Sequence, residues 1–298
     1  TSIMSNDRKI YKPGPIRGFP EWLPEERLVE QKWFDHIRRV FESYGFCNIE
    51  TPSVEELDVL TAKGEVDKEI YVIERLHKDE NDKKESRLAL HFDQTVPMAR
   101  YVAMNFNNLV FPFKRYQMQR VWRGERPQMG RMREFYQCDI DVINVDNLPI
   151  SFDAEVAAMM YEVLEGLDIG RVQLRINNRK ILMGLLESLG IIDPIPITRI
   201  IDKIEKIGEE AVAELLEKEL GIKEQQVDKI LDLVTLGNVR ADGSDFVINE
   251  MVSFEGIEAA NQQMEEGINE LMLVLNSLKH LPQHAVIADL SIVRGLDY

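Results

Sequence analysis

Residues 120 to 143 read RVWRGERPQMGRMREFYQCDIDVI, and this stretch limits what the chain can build more than any other. Its two halves have strand character, and the middle, Gly124 to Met132 with Pro127 and Gly130, reads as a loop. The second half alternates with period two. Arg133, Phe135, Gln137, Asp139 and Asp141 project to one side, and Glu134, Tyr136, Cys138, Ile140 and Val142 to the other. The even side is mostly apolar and can rest on a core. The odd side aligns a guanidinium, a flat ring, an amide and two carboxylates. An ordinary solvent face mixes Lys, Thr and Ser, so this row points to a functional site.

Charge sharpens the point. From Lys114 to Arg133 there are seven basic residues (Lys114, Arg115, Arg120, Arg123, Arg126, Arg131, Arg133) against one acid, Glu125, in a chain whose net charge is −16. A positive loop between two strands suits a polyphosphate better than a packed core. The acidic balance argues against nucleic-acid binding over the whole surface, although one basic face remains available.

At 298 residues the chain can bury one large core or two smaller ones. Its two cysteines, Cys47 and Cys138, are far apart, so neither a disulfide framework nor a zinc site follows and a reducing compartment is the default. No apolar run approaches the roughly 20 residues of a membrane span, and the first residues lack a signal-peptide core. The expectation is a cytoplasmic protein.

Along the chain, residues 1 to 23 read as loop, broken by Pro13, Pro15, Gly18 and Pro20. A helix is expected from Pro24 to Tyr44, stopped by Gly45, with Phe34, Ile37, Phe41 and Tyr44 on its inner face. Strands are expected at 46–51, 71–76 and 87–92, with the polar connector His77 to Ser86 as a solvated hairpin tip. Asp93-Gln94-Thr95 then precedes a helix over 96–105, where Asp93 or Thr95 serves either as helix cap or as ligand. After the central pair, 151–167 reads as a helix and 171–176 as a strand. Strands interleaved with helices, without a βαβ repeat, give an α/β chain of α+β type built on an antiparallel sheet. Residues 180–279 change to short amphipathic helices with Gly stops and no chemical motif, the last of them over 255–278, and strand character returns at 284–290. The expected division is a catalytic-type core over 1–179, a helical insertion over 180–279, and a return to the core over 280–298.

The run from Arg123 to Arg131, continuing from Arg133 to Gln137, resembles the second signature motif of class II aminoacyl-tRNA synthetases, in the wording of the histidyl-tRNA synthetase family. Arg294-Gly295-Leu296-Asp297-Tyr298 resembles that family's histidine-specific motif, cut short at the chain end. Arg17-Gly18-Phe19 with Leu23-Pro24 resembles its N-terminal segment, and residues 24–52 resemble the dimer-forming first motif. The third class II motif and the anticodon-binding domain are not in the sequence, so the resemblance implies a fragment holding most of a catalytic core. His91 and Gln94 depart from the residues common in relatives.

The resemblance implies roles. ATP, accompanied by Mg2+, would be bound by Arg123, Glu125, Arg131 and Phe135, with Arg123 on the α-phosphate and Phe135 against adenine. L-histidine would be bound by Asp93, Gln94, Thr95, Gln137, Asp141 and Tyr298. Asp141 would accept from the imidazole, and Arg294, on the reacting carboxylate, would be the second catalytic cation beside Arg123 on the α-phosphate. No protein-held metal site is implied. The partners would be tRNA(His) and a second copy of the chain, with no membrane. An alternative of another class is the regulatory paralogue of ATP phosphoribosyltransferase, in which the ATP loop is eroded; here Arg123, Glu125, Arg131 and Phe135 are all present.

Overall fold

The computed structural model describes residues 12–62, 70–77, 87–236 and 257–293. They form two compact units, Thr1–Asn147 and Leu148–Tyr298. Compactness therefore divides the chain ahead of the 179/180 boundary drawn from sequence character.

The first unit begins with helix α1 (Pro24–Ser43). The Glu26 carboxylate accepts the Leu23 N–H at 2.8 Å, and Pro24 occupies the first turn, where no N–H is needed. β1 (Cys47–Asn48), β2 (Val54–Glu56), α2 (Leu57–Leu60), β3 (Val72–Ile73), β4 (Leu88–Leu90), α3 (Thr95–Asn105), β5 (Phe113–Trp122) and β6 (Glu134–Ile143) follow. β1, β5 and β6 form one sheet and β2, β4 and β3 another. β5 and β6 pair antiparallel over their full lengths, and so do β4's pairs with β2 and β3, as expected. β1 instead runs parallel to β5. The 46–51 strand is only two residues long, and β2 and α2 carry no alternation that would have announced them. Most of the His77–Ser86 connector lies outside the described residues.

Helix α1 lies against the even face of the hairpin. Phe34 meets Tyr136 edge-on at 4.7 Å, Phe41 meets Tyr116 at 5.6 Å, and the Tyr116 hydroxyl donates to Glu42 at 2.6 Å. Ile37, Val40 and Phe41 are buried there. The even face of β6 itself is less covered than its composition suggested: its residues are half-buried at best, and Tyr136 stays 36% exposed.

The second unit contains α4 (Ser151–Glu165), β7 (Leu174–Ile176), α5 (Arg179–Ser188), α6 (Ile195–Ile201), α7 (Ile204–Ile207), α8 (Glu209–Leu220), α9 (Glu224–Val234), α10 (Gln262–Ser277) and β8 (Val286–Ala288). β7 and β8 pair in parallel, bracketing the helical run. Leu186, Ile201, Leu216 and Ile230 belong to one apolar core with Ile268 and Leu290. α5 and α10 approach closely because each brings a glycine to the contact. A Cβ on Gly184 would stand 2.6 Å from Met264 N, and one on Gly267 would stand 2.8 Å from Ile181 N. Asn178 caps α5 through Lys180 N–H, and Asn261 caps α10 through Met264 N–H while donating to Gly184 O at 2.8 Å.

Candidate functional site

The antiparallel register decides which side chains meet. Arg115 stands opposite Asp141, Gln117 opposite Asp139, Gln119 opposite Gln137, and Val121 opposite Phe135. Directly opposed residues share a face, so the odd row of β6 is matched by a second polar row on β5. The Arg123 N–H donates to Arg133 O at 2.9 Å and carries the ladder on toward the loop.

Two short connections close over this face. Thr51, just after β1, is buried; its N–H donates to Gln119 Oε1 at 3.1 Å, its carbonyl accepts from Gln119 Nε2 at 2.7 Å, and its hydroxyl accepts from Gln117 Nε2 at 2.9 Å. The segment before α3 is tied to β5 by Trp122 N–H on His91 O at 3.1 Å and by Arg123 Nε on Phe92 O at 3.1 Å. Gln94 is fully buried, and its Nε2 donates to the carbonyls of both Gln119 and Gln137 at 3.0 Å. Its amide group is thus a tie between β5 and β6. Asp93 Oδ1 accepts the Val96 N–H at 3.3 Å, so it caps α3 with one oxygen while remaining half-buried beside the site. Thr95, the first residue of α3, is exposed.

At the inner end, Arg115 is fully buried. Its Nη2 lies 2.5 Å from Asp141 Oδ2, and its Nη1 donates to Asp139 O at 3.3 Å. The contact with Asp141 is an ion pair without an aligned hydrogen bond, and Arg115 Nε and Nη2 have no hydrogen-bond partner in the protein. Burial pulls the Arg115 pKa down, against the opposing pull of Asp141, Asp139 and Asp93. Burial likewise pushes Asp139 and Asp141 above the usual carboxylate range, with Arg115 resisting and Asp93 adding to the rise. Asp93, Asp139 and Asp141 therefore act on one another with a single buried guanidinium between them. That excess of negative charge suits a cationic or N–H-rich ligand. The buried Gln94, Gln117 and Gln137 Oε1 atoms have no partner in the protein either. Buried polar atoms are normally satisfied, so their concentration in one layer marks a place for ligand or water.

At the outer end the chemistry changes sign. The Arg123 guanidinium lies 5.2 Å from the Phe135 ring centroid. Beyond it the chain turns tightly: Gln128 and Arg131 exchange backbone hydrogen bonds, and Gly130 has φ +76°, which a side chain would resist. The Glu125 carboxylate pairs with exposed Arg131 at 3.3 Å, and its carbonyl accepts from Arg133 Nε at 3.1 Å. Gly18 O accepts the N–H groups of Arg133 and Glu134 at 2.7 and 3.1 Å, clamping the N-terminal segment against the start of β6.

The structure thus brings Asp93, Gln94, Gln137 and Asp141 together, and it brings Arg123, Glu125, Arg131 and Phe135 together at the other end. Arg294 and Tyr298 lie outside the described residues. The basic count needs correction. Lys114 donates to Tyr44 O and covers the Phe46 ring, Arg115 is buried at the opposite end of the site, and Arg120 pairs with Glu134 and covers Tyr136 on the even face. Only Arg123, Arg126, Arg131 and Arg133 belong to the loop and its flanks. Sequence reasoning missed Arg115, Gln117, Gln119 and Thr51 as parts of the site. A signal was available, because a hairpin centred on Gln128 pairs residue 115 with 141.

Comparison with known proteins bears on this arrangement. Residues 18–298 match the family model described as histidyl-tRNA synthetase. The chain is 54% identical over 293 residues to the histidine–tRNA ligase of Thermobifida fusca, covering 98% of this chain and 65% of that protein. It is 48% identical to the one from Micrococcus luteus, covering 95% and 62%. The chain therefore spans a little under two thirds of the length of these relatives. The crystal structure of histidyl-tRNA synthetase from Nostoc sp. PCC 7120 superposes with a TM-score of 0.79 at 42% identity, covering 97% of this chain and 63% of that one. A structure from Bacillus halodurans described as an ATP phosphoribosyltransferase regulatory subunit/histidyl-tRNA synthetase shares the fold at 19% identity, with a TM-score of 0.73, over 96% and 70% of the two chains.

Proposed function

Because the chain belongs to the histidyl-tRNA synthetase family, we propose that it carries most of the catalytic core of a histidine–tRNA ligase, which activates L-histidine with ATP and passes it to tRNA(His). In the first step a histidine carboxylate oxygen bonds to the α-phosphorus of ATP as the bond to pyrophosphate breaks, giving histidyl-adenylate. In the second, the 3′-terminal hydroxyl of the tRNA takes the histidyl group and AMP leaves.

The observation that carries this reading is the polarity of the odd face. Arg123 and Phe135 stand at one end, Gln137, Asp139 and Asp141 at the other, on one continuous pair of strands. Phe135 offers a flat surface to adenine, and Arg123 beside it is a held cation for the α-phosphate, where charge builds in the transition state. Arg131 and Glu125 serve the outer phosphates and the loop's shape. Asp93 and Thr95 with Gln137 receive the α-ammonium, and Asp141 accepts the imidazole N–H. Gln94 contributes by holding the Gln137 backbone. Arg294 and Tyr298 complete the site in this proposal, on the strength of the sequence motif alone. Magnesium offsets phosphate charge when the nucleotide binds. A loop that, with its flanks, carries four arginines and one carboxylate fits a metal brought in by the phosphates better than one caged by protein.

Residues 1–179 and 280–298 form the catalytic core in this reading, and 180–279 form a helical insertion. The first motif makes a homodimer, a proposal supported by the exposed Leu28, Val29 and Trp33 on α1. The setting is cytoplasmic; no helix among the described residues is long and apolar enough to cross a membrane. ATP–pyrophosphate exchange in the full-length parent tests the reading. Exchange should depend on histidine and be lost in Arg294→Ala. Equal exchange with another amino acid would sink the assignment. The intact ATP loop separates this reading from the regulatory paralogue.

A further inference from the structure

The Arg115–Asp141 pair is lopsided. The arginine side chain is 0% exposed and the aspartate side chain 33%, so the cation is sealed inside while its partner stays accessible from the odd face. A buried, incompletely bonded guanidinium is a poor source of stability; an apolar residue of similar size usually serves as well or better. We propose that Arg115 is a positioning residue for histidine recognition, holding Asp141 ionised and aimed as the acceptor for the imidazole N–H. This deepens the reading given above and rests on it.

The argument is one of charge at close quarters. The charged groups acting on Asp141 and its neighbour Asp139 are Arg115 on β5, Arg123 at the end of β5, and Asp93 ahead of α3. Three carboxylates share two guanidiniums, and Arg123 is turned toward Phe92 O and the Phe135 ring at the far end. Remove Arg115, and carboxylates that are already partly desolvated relieve their repulsion by taking up protons. A protonated Asp141 has lost the negative charge that makes it a strong acceptor. Arg115 is out of reach of solvent and behind its partner, so it acts through Asp141 without touching the substrate. Its Nη1 contact with Asp139 O fixes the plane of the guanidinium, and the plane fixes where Asp141 can point.

The test compares wild type with Arg115→Gln, Arg115→Met and Arg115→Lys. Two readouts are followed across the pH range in which the chain stays folded. One is the carboxyl NMR signal of Asp141, assigned by its loss in Asp141→Asn. The other is histidine binding to the full chain by calorimetry. In Arg115→Gln and Arg115→Met, Asp141 should take up its proton about one pH unit or more higher than in wild type. At a pH where Asp141 is protonated in the variant and ionised in wild type, histidine affinity should fall roughly tenfold, recovering as the pH rises through the variant's midpoint. Arg115→Lys keeps the charge and loses the planar fork, so Asp141 should titrate close to wild type while histidine affinity falls by less than in Arg115→Met. Arg115→Met is the variant to rely on if the glutamine disturbs folding, because an apolar chain of similar length suits the interior. An unmoved Asp141 titration, or an affinity lost by the same factor at every pH, overturns the proposal. A wild-type chain that binds no histidine, while Asp141 still responds to Arg115, overturns the histidine reading and the recognition role with it.

Discussion

Arg123 and Phe135 form a cation–π pair, with the guanidinium carbon over the ring at 5.2 Å from its centroid and Arg123 Nε anchored on Phe92 O. A cation over a ring has one face of that ring covered and leaves the other for a second flat partner. Phe135→Leu keeps bulk and removes the flat surface. ATP binding by calorimetry should weaken by about 3- to 10-fold, the scale of one base-stacking contact, with histidine binding unchanged.

Gln94 is the bracket between the strands. Replacing it by Leu removes a second donor from the Gln119 and Gln137 carbonyls, which keep their partners in the β5–β6 ladder. The expected loss is about 1–2 kcal/mol in urea unfolding, the usual net scale for two lost hydrogen bonds. A loss of a few tenths would mean that water replaces the amide freely.

Asp139 gives a pH prediction whose sign opposes ordinary acid unfolding. Burial raises its pKa in the folded chain, so the folded state binds this proton more readily than the unfolded state. Its contribution favours folding below the ordinary carboxylate range and is lost as pH rises through the raised midpoint. Above that midpoint the charged carboxylate is a liability, and there Asp139→Asn should stabilise the protein by about 1 kcal/mol or less. The gain should shrink as the pH is lowered toward about 4. Thermal unfolding at several pH values reads this directly, and a stabilisation that grows on acidification would contradict it.

The contact of α5 with α10 depends on the absence of two side chains. Gly184→Ala puts a methyl 2.6 Å from Met264 N, and Gly267→Ala puts one 2.8 Å from Ile181 N. Alanine usually favours a helix by about 1 kcal/mol over glycine, but here the obstacle in each case is backbone. Each substitution should destabilise by about 1–3 kcal/mol in denaturant melts, the range for overpacking. A stabilised variant would show that the helices can separate without loss.

The sequence by itself determined the central hairpin, because period-two alternation broken by a Pro- and Gly-containing loop admits few other structures. It also determined α1, whose 3.6-residue spacing and Pro24 start are local signals. The identity of Phe135, Gln137, Asp139 and Asp141 as one row followed from the same alternation. Tertiary structure decided what stands across from that row. Arg115 carries the same charge as Arg123 and lies on the strand that Arg123 directly follows, yet one is sealed under Asp141 and the other stands over the Phe135 ring. Only register and burial distinguish them, and both arise from pairing with distant residues. The parallel pairings of β1 with β5 and β7 with β8, and the glycine contact of α5 with α10, have the same origin. Periodicity reports which face of an element is buried, while its partner is chosen by packing between segments that the chain brings together only on folding.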